Sequence, residues 1–280
     1  MKRCFDFLGS EVSGDGRDRV YVIPVPVEWS TSYCKGTAMA PEALLRSSRQ
    51  IEIYNYDLDF DLEGSGIVTL RPEIKGKVDL ISFIEMHRDI FRDTFLCFIG
   101  GEHSLTPWIL EGLGRKDMGI IWLDAHADLR ESYLGERESH ACAARNSLPY
   151  GPIIEIGVRS CSKGERDFLA TSGRVSVFGS WNKEAKAAVM AFPDAVYLSL
   201  DYDVLDPSLL RAVGTPEPGG LMWDDLMDLL TFLFRNKRVI AMDAVELCPL
   251  DGDETSNFIG AKVIYEAVSR FLREEFAVEE

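Results

Sequence analysis

The chain has 280 residues, of which 46% are hydrophobic and 27% are charged, and its formal net charge is −16. This composition supports a sizeable core and argues against disorder, and the negative charge argues against nucleic acid as a partner. There is no apolar run of about 18 residues to span a membrane, and the first residues lack the apolar stretch of a secretory signal. We therefore expect a cytoplasmic protein with no membrane partner.

Apolar, β-rich runs alternate with amphipathic segments along the chain. In chain order, the pattern predicts a strand over 19–25, helices over 40–46 and 78–91, a strand over 94–99, a helix over 104–113, strands over 118–123 and 153–156, a helix over 162–171, a strand over 175–178, a helix over 182–191, a strand over 195–200, a helix over 222–235, a strand over 238–243 and a helix over 255–274. This alternation predicts a mostly parallel α/β sheet covered by helices on both faces. We expect one domain over residues 1–280.

Polar residues come directly after four of the predicted strands. They are Glu102-His103, Asp124-Ala-His-Ala-Asp128, Asp201-Tyr-Asp203 and Glu246. Ligands of open parallel sheets gather at the carboxyl ends of the strands. We therefore expect these side chains to converge on one edge of the sheet.

The first of the acidic motifs spaces Asp124, His126 and Asp128 two residues apart, and Asp201 and Asp203 repeat that spacing. In an extended chain, alternate side chains point the same way, so each set is expected to face one side. Acids buried together repel one another and lose solvation, and cations remove both costs.

Charge balance indicates how many cations this cluster would need. Four aspartates supply four negative charges, which two divalent ions neutralise. His103 and His126 add imidazole nitrogens, and a site rich in aspartate with histidine suits Mn²⁺, while Zn²⁺, Co²⁺ and Fe²⁺ stay open. Two such ions lower the pKa of a shared water molecule and make it a nucleophile. The sequence therefore predicts a two-metal hydrolase.

Three motifs carry a resemblance to a known family. Gly100-Gly-Glu-His-Ser104, Asp124-Ala-His-Ala-Asp128 and Ser199-Leu-Asp-Tyr-Asp-Val-Leu-Asp-Pro207 resemble the signature motifs of the ureohydrolases, the arginases and agmatinases. The similarity extends to 32–41, 214–220 and 242–249, so it covers nearly the whole chain in order. It implies a three-layer α/β/α arginase-like fold with about eight strands. It also implies a homo-oligomer, either a trimer or a hexamer.

The resemblance also implies ligands for two Mn²⁺ ions. One ion would be held by His103, Asp124, Asp128 and Asp201, and the other by His126, Asp124, Asp201 and Asp203. Asp124 and Asp201 would then bridge the two ions. Glu102 stands where the family motif usually has aspartate, and that change bears on the surroundings of His103 more than on metal binding.

Two further residues match the family's catalytic groups. Glu246 resembles the glutamate that binds the guanidinium of the substrate, and His140 stands at the position of the proton-shuttling histidine, a role suited to its titration range. Asp128, beside the attacking water, would pass on the proton of that water. Arg159 follows a strand and is expected to order loops or subunits.

The loop over 129–139 bears on the substrate. Arginase-like members hold the α-amino and carboxylate groups of arginine with a loop rich in threonine, serine and asparagine. This loop lacks that polar run and has acids at 131, 136 and 138. These acids suit a small cationic substrate with a free terminal amine, which favours agmatine, hydrolysed to putrescine and urea. Arg130 and Arg137 could bind a carboxylate, so arginine, other guanidino acids and aminopropyl-agmatine-type polyamines stay open.

Two other classes of function are compatible with the same ligands. A deacetylase-like hydrolase would use a single Zn²⁺ and would not need His103 and Asp203 as ligands, so the number of bound ions separates the two hydrolases. A catalytically silent metal-binding relative would keep the ligands without turnover. The presence of His140 and Glu246 argues against the silent relative.

Overall fold

The computed structural model of the chain describes residues 5–14 and 16–279. Its strands are β1 (Val20–Val25), β2 (Tyr54–Asn55), β3 (Phe60–Asp61), β4 (Ile67–Thr69), β5 (Phe95–Gly100), β6 (Gly119–Leu123), β7 (Ile153–Ile156), β8 (Val175–Phe178), β9 (Ala195–Asp201) and β10 (Arg238–Val245). Its α-helices are α1 (Ala40–Ser48), α2 (Lys77–Met86), α3 (Arg88–Phe91), α4 (Leu105–Leu113), α5 (Ala143–Ser147), α6 (Lys163–Ser172), α7 (Lys183–Ala191), α8 (Trp223–Asn236) and α9 (Glu254–Glu279).

Eight of the described strands form one parallel sheet in the order β4-β1-β5-β10-β9-β6-β7-β8. Strands β2 and β3 form a separate antiparallel pair. Because the strands are parallel, each connection within the large sheet is a crossover that leads from the carboxyl end of one strand to the amino end of the next. The carboxyl ends of all eight strands therefore lie at one edge.

Apolar side chains of the sheet alternate between its two faces. On one face, Ile121 and Leu198 belong to a core that includes residues of α1, α7, α8 and α9. On the other face, Ile120 and Tyr197 belong to a core with α2, α4 and α5. Helix packs against helix within each outer layer, as α1 does on α9 and α2 on α4. The predicted three-layer α/β fold is confirmed.

Some predicted elements differ from those observed. The edge strand β4 and the β2–β3 hairpin were not predicted, because each has only two or three residues and such runs carry little periodicity. No helix within the described ranges is both long and apolar enough to cross a membrane.

The helix predicted over 78–91 is broken at His87, where α2 ends and α3 begins. The ring Nδ1 of His87 donates to the carbonyl of Phe83 at 2.8 Å. In a continuous helix that carbonyl would accept the backbone N–H of His87, which instead donates to Ile84 at 3.3 Å. The side chain thus competes with the helical hydrogen bond. His87 lies outside the site described below.

Candidate metal centre and active site

The strands that precede the polar motifs are neighbours in the middle of the sheet. They occur in the order β5-β10-β9-β6. Ile99 pairs with Ala244, Ala244 with Leu200, and Leu200 with Leu123, so these four residues form one row. The residues that follow this row therefore start from the same height at the carboxyl edge, which brings the motifs together.

The imidazole of His103 is held in one orientation by buried groups. It lies after β5, where Gly101 is required because a Cβ there would lie 2.0 Å from the carbonyl oxygen of Val27. The ring stacks on Trp122, with centroids 4.2 Å apart. Its Nε2 lies 2.9 Å from Ser199 Oγ, and the Ser199 hydroxyl donates to Asp243. Ser199 therefore accepts from Nε2–H, which leaves a lone pair on Nδ1.

That lone pair faces three carboxylates. Nδ1 of His103 lies 3.2 Å from Asp124 Oδ2, 3.2 Å from Asp201 Oδ2 and 3.5 Å from Asp128 Oδ2. The atom is buried and has no hydrogen-bond partner. A buried, unpaired nitrogen surrounded by anionic oxygens is costly unless a cation lies between them. The donor set fits a divalent metal ion.

A second cluster surrounds His126. Its Nδ1 lies 2.8 Å from Asp203 Oδ2 and 3.6 Å from Asp124 Oδ1. Backbone N–H groups hold the two acids: Ala125 donates to Asp203 at 2.9 Å, and His126 donates to Asp124 at 2.6 Å. The carboxylates are therefore oriented before any ion binds.

The two clusters share one residue. In each, three ligand atoms lie within 4.8 Å of one another: one contains His103, Asp124 and Asp128, and the other contains Asp124, His126 and Asp203. Asp201 lies beside the first through its Oδ2 atom. The structure thus brings together all six residues predicted as metal ligands, with Asp124 between the two clusters.

The ionisation of the cluster indicates how strongly it attracts positive charge. Burial lowers the pKa of both imidazoles, but the close contacts and negative charges of the aspartates outweigh it and raise the pKa of His103 to about 9 and that of His126 to about 12. Burial, reinforced by neighbouring carboxylates, raises the pKa of Asp128 and Asp201 well above the usual range. Protons therefore take the place of cations here, and a metal ion must displace them.

The backbone at these motifs is not the extended chain assumed from the spacing. Strand β6 ends at Leu123, and Asp128 has a left-handed φ of 48°. Asp203 lies in a 3₁₀ turn, Tyr202–Val204. The ligands converge because turns redirect the chain. The predicted extended backbone was therefore wrong, although the predicted convergence of the side chains is observed.

Glu246 and His140 lie on the wall of a cavity of about 280 Å³ that also contains Asp128, Asp201 and Asp203. Glu246 Oε1 accepts the backbone N–H of His103 at 2.7 Å. Burial, with like charges nearby, raises the pKa of Glu246 to about 8. His140 begins the 3₁₀ turn His140–Cys142 and is half-buried, and burial lowers its pKa.

The acids of the 129–139 loop do not line this cavity, so they do not support the substrate that was inferred from them. Glu138 pairs with Lys77 at 2.6 Å, and Glu131 pairs with the exposed Arg137 at 3.4 Å. The third acid, Glu136, accepts the backbone N–H of Glu138. All three side chains are thus engaged with other residues of the loop or of α2.

Two carboxylates near the cavity were missed by the sequence analysis. Glu165 lines it and accepts the backbone N–H groups of Leu129 and Ser162. Glu217 Oε1 lies 3.9 Å from His126 Nε2. The spacing of Ser162 and Glu165 is that of a capping box, which was the available signal for Glu165. Glu217 lies in a turn and gave no such signal.

Arg130 and Arg159 have different environments. Arg130 lines the cavity, with its Nε 3.8 Å from Glu165 Oε2 and its guanidinium over the ring of Tyr133. Arg159 donates to the carbonyl oxygens of Asp203, at 2.7 Å, and Glu217, at 2.7 Å. It therefore joins the turn that carries a metal ligand to the turn over 214–220, as a loop-ordering residue would.

Comparisons with known proteins agree with this geometry. The family model described as Arginase family matches residues 18–269. The chain is 33% identical to the N(1)-aminopropylagmatine ureohydrolase of Synechocystis, over 92% of this chain and 91% of that protein. It is also 33% identical to the agmatinase of Pyrococcus horikoshii, over 92% of this chain and 94% of that protein.

Solved structures give the same result. The agmatine ureohydrolase of Thermoplasma volcanium superposes with a TM-score of 0.83 at 28% identity, covering 100% of this chain and 97% of that one. Family model, sequence relatives and solved structure agree over nearly the full length. The chain is therefore a hydrolase of the arginase family.

Proposed function

We propose that this ureohydrolase cleaves agmatine with water to putrescine and urea, with two Mn²⁺ ions per chain. One observation carries the proposal: two overlapping clusters of carboxylates and imidazoles share Asp124 and adjoin one cavity that also contains Glu246 and His140. This arrangement combines a cation centre, a carboxylate for a guanidinium and a titratable imidazole.

The six ligands His103, Asp124, His126, Asp128, Asp201 and Asp203 would hold the metal ions. When bound, the two ions supply a water molecule of lowered pKa and positive charge near the reacting carbon. Asp128 lies at the cavity wall beside His103. It accepts the proton of the attacking water and passes it towards the leaving nitrogen.

Glu246 receives the guanidinium. Its Oε1 is fixed by the backbone N–H of His103, and Oε2 lies 3.8 Å from where a Cβ of Gly214 would be. Gly214 lines the cavity, so this oxygen is close to the substrate space. A planar cation with paired N–H donors matches a carboxylate in this position, and it stabilises the charged form that burial disfavours.

His140 protonates the leaving amine. Burial lowers its pKa, so the ring is neutral near pH 7 and readily gives up a proton once it has one. Asp128 delivers one proton of the attacking water to the leaving nitrogen and His140 supplies the other, so the amine departs as an ammonium ion and urea is left neutral.

The carboxylate of Glu165, rather than the acids of the 129–139 loop, supports a substrate with a terminal amine. It is 4% exposed and lines the cavity that contains Glu246. Arginine would need a cation in the cavity to bind its α-carboxylate. The cavity-lining Arg130 is already engaged with Glu165 and the ring of Tyr133. Agmatine and aminopropylagmatine, the substrates in the names of the relatives, both lack an α-carboxylate. These features favour a decarboxylated substrate.

The experiment is urea release from Mn²⁺-loaded protein with agmatine, aminopropylagmatine, arginine, 4-guanidinobutyrate and 3-guanidinopropionate. We expect the highest kcat/KM for agmatine. A preference for arginine would overturn the substrate assignment, and absence of urea from all five compounds would overturn the proposed reaction.

Glu246→Gln should raise KM for agmatine by about 10-fold or more, since a charge-assisted contact contributes about 1.5–3 kcal/mol. Glu184→Gln, an exposed change in α7, serves as the matched control.

A further inference from the structure

Glu102 is fully buried and accepts hydrogen bonds from the segment 29–31 and from Ser104. Its Oε2 accepts the backbone N–H groups of Trp29 at 2.7 Å, Ser30 at 2.8 Å and Thr31 at 3.2 Å. The other oxygen, Oε1, accepts the hydroxyls of Ser30 at 2.7 Å and Ser104 at 2.6 Å. A carboxylate has no proton to give, so the Ser30 hydroxyl hydrogen is committed to Glu102.

Ser30 also contacts His140 through the same oxygen. Ser30 Oγ accepts the backbone N–H of His140 at 3.0 Å and lies 3.1 Å from the ring Nδ1. Since its only hydrogen is used, Ser30 can meet the ring only as an acceptor. The 3.1 Å contact is therefore favourable when Nδ1 carries a hydrogen, and Ser139 Oγ, 3.3 Å from Nδ1, can accept from it as well.

Asp243, Ser199 and His103 form a second series of carboxylate, serine and imidazole, like Glu102, Ser30 and His140. In this second series the serine contacts Nε2 of the ring instead of Nδ1. There a carboxylate takes the hydrogen of Ser199, Ser199 accepts from Nε2, and the lone pair is left on Nδ1. Thus one carboxylate–serine pair directs a lone pair into the ligand cluster. The other, by the same rule, leaves the lone pair of His140 on Nε2.

We propose that Glu102 and Ser30 are positioning residues that hold His140 as its Nδ1–H tautomer, so that Nε2 is the atom that exchanges protons at the cavity. The tautomer of His140 does not depend on the reaction, whereas its catalytic consequence rests on the proposed function. In that reaction, Nε2 of the neutral ring accepts a proton from water, which gives an imidazolium. It then donates that proton to the leaving nitrogen, and the ring returns to the same tautomer.

The tautomer is measured directly by ¹⁵N NMR of the histidine rings in the full chain loaded with diamagnetic Zn²⁺, at a pH where His140 is neutral. The His140 signals are assigned from a His140→Asn sample. We expect a protonated-type shift for Nδ1 and an unprotonated-type shift for Nε2. The reverse pattern would overturn the proposal.

Glu102→Gln is an isosteric test of the same logic. Its oxygen must face the three backbone N–H groups, so its NH₂ group faces Ser30 and donates to it. The hydrogen of Ser30 is then released towards Nδ1, and we expect His140 to switch to the Nε2–H tautomer. An unchanged tautomer in a folded variant would contradict the role of Glu102.

Kinetics separate positioning from a merely structural contact. Ser30→Ala should lower kcat for urea release by about 10- to 100-fold, with KM changed less than about twofold, and Ser30→Thr should restore most of the loss. Ser139→Ala should lose less, because its hydroxyl is not bonded to Glu102. Unchanged kcat in Ser30→Ala would contradict the proposal. If wild-type protein releases no urea, the proposed function fails, whereas the NMR result still decides the tautomer.

Discussion

The metal ligands are oriented at the level of single hydrogen bonds. His103 presents Nδ1 to three carboxylates because Ser199 and Asp243 fix its other nitrogen. Asp203 accepts the backbone N–H of Ala125 from the other motif, and Asp124 accepts the backbone N–H of His126 in its own motif. Such pre-orientation reduces the ordering that an ion must impose when it binds.

The first prediction concerns the hydroxyl between His103 and Asp243. Ser199→Ala removes the acceptor for Nε2–H, so we expect the affinity for Mn²⁺ to fall by about 10- to 100-fold. Calorimetric titration of the metal-stripped chain measures this. Ser147→Ala is the matched control, because Ser147 is also fully buried but its hydroxyl only donates to a helix carbonyl. Equal affinity in both variants would contradict the orienting role.

The second prediction concerns protons. The pKa of His103 is about 9 and that of His126 about 12 without metal, so both rings carry protons at pH 7. Binding of Mn²⁺ must release them, so affinity should rise with pH, and the rise should become less steep above the pKa of His103, where only His126 still has a proton to lose. Titrations at pH 7 in buffers of different ionisation enthalpy count the released protons. A binding enthalpy that is independent of the buffer would contradict this account.

Much of the site at this scale could be predicted from the sequence. The six ligands and Glu246 follow strand ends, whereas His140 was predicted from the resemblance to the family. Ser30 was not predicted, since it meets His140 across 110 positions of the chain, and local spacing carries no information on such a contact. Glu165 has the local spacing of a capping box with Ser162, but that spacing does not show that it lines the cavity.

At the scale of elements, the adjacency of β5, β10, β9 and β6 decides which motifs meet. The strands themselves could be predicted from their apolar runs, but their order in the sheet could not, because pairing depends on packing across the whole domain. The short edge strand β4 and the break at His87 were missed for a local reason. Two or three residues, or one side-chain hydrogen bond, do not alter a periodic pattern enough to be recognised.

The third prediction tests the link between two turns. Arg159→Lys keeps the charge but loses the fork of donors to the carbonyls of Asp203 and Glu217. We expect a loss of about 1–3 kcal/mol in the free energy of unfolding. Chemical denaturation of the metal-free chain measures it, beside Arg166→Lys at an exposed position of α6. A loss no larger than that of Arg166→Lys would mean that Arg159 does not join the turns.

At the scale of the whole molecule, the fold places one concentrated negative cluster at the carboxyl edge of the sheet. The chain as a whole carries −16, and such a field favours the approach of metal cations and of a guanidinium substrate. The single domain over 1–280, the trimer or hexamer, the cytoplasmic location and the absence of nucleic-acid and membrane partners stay predictions from the sequence.

The central claim is that two metal ions and the cavity beside them form urea from a guanidino substrate. Titration of Mn²⁺ into the metal-stripped chain, with urea release from agmatine as the readout, tests this most directly. We predict that the rate rises to a plateau at two ions per chain. A plateau at one ion, or no urea at any loading, would contradict the account.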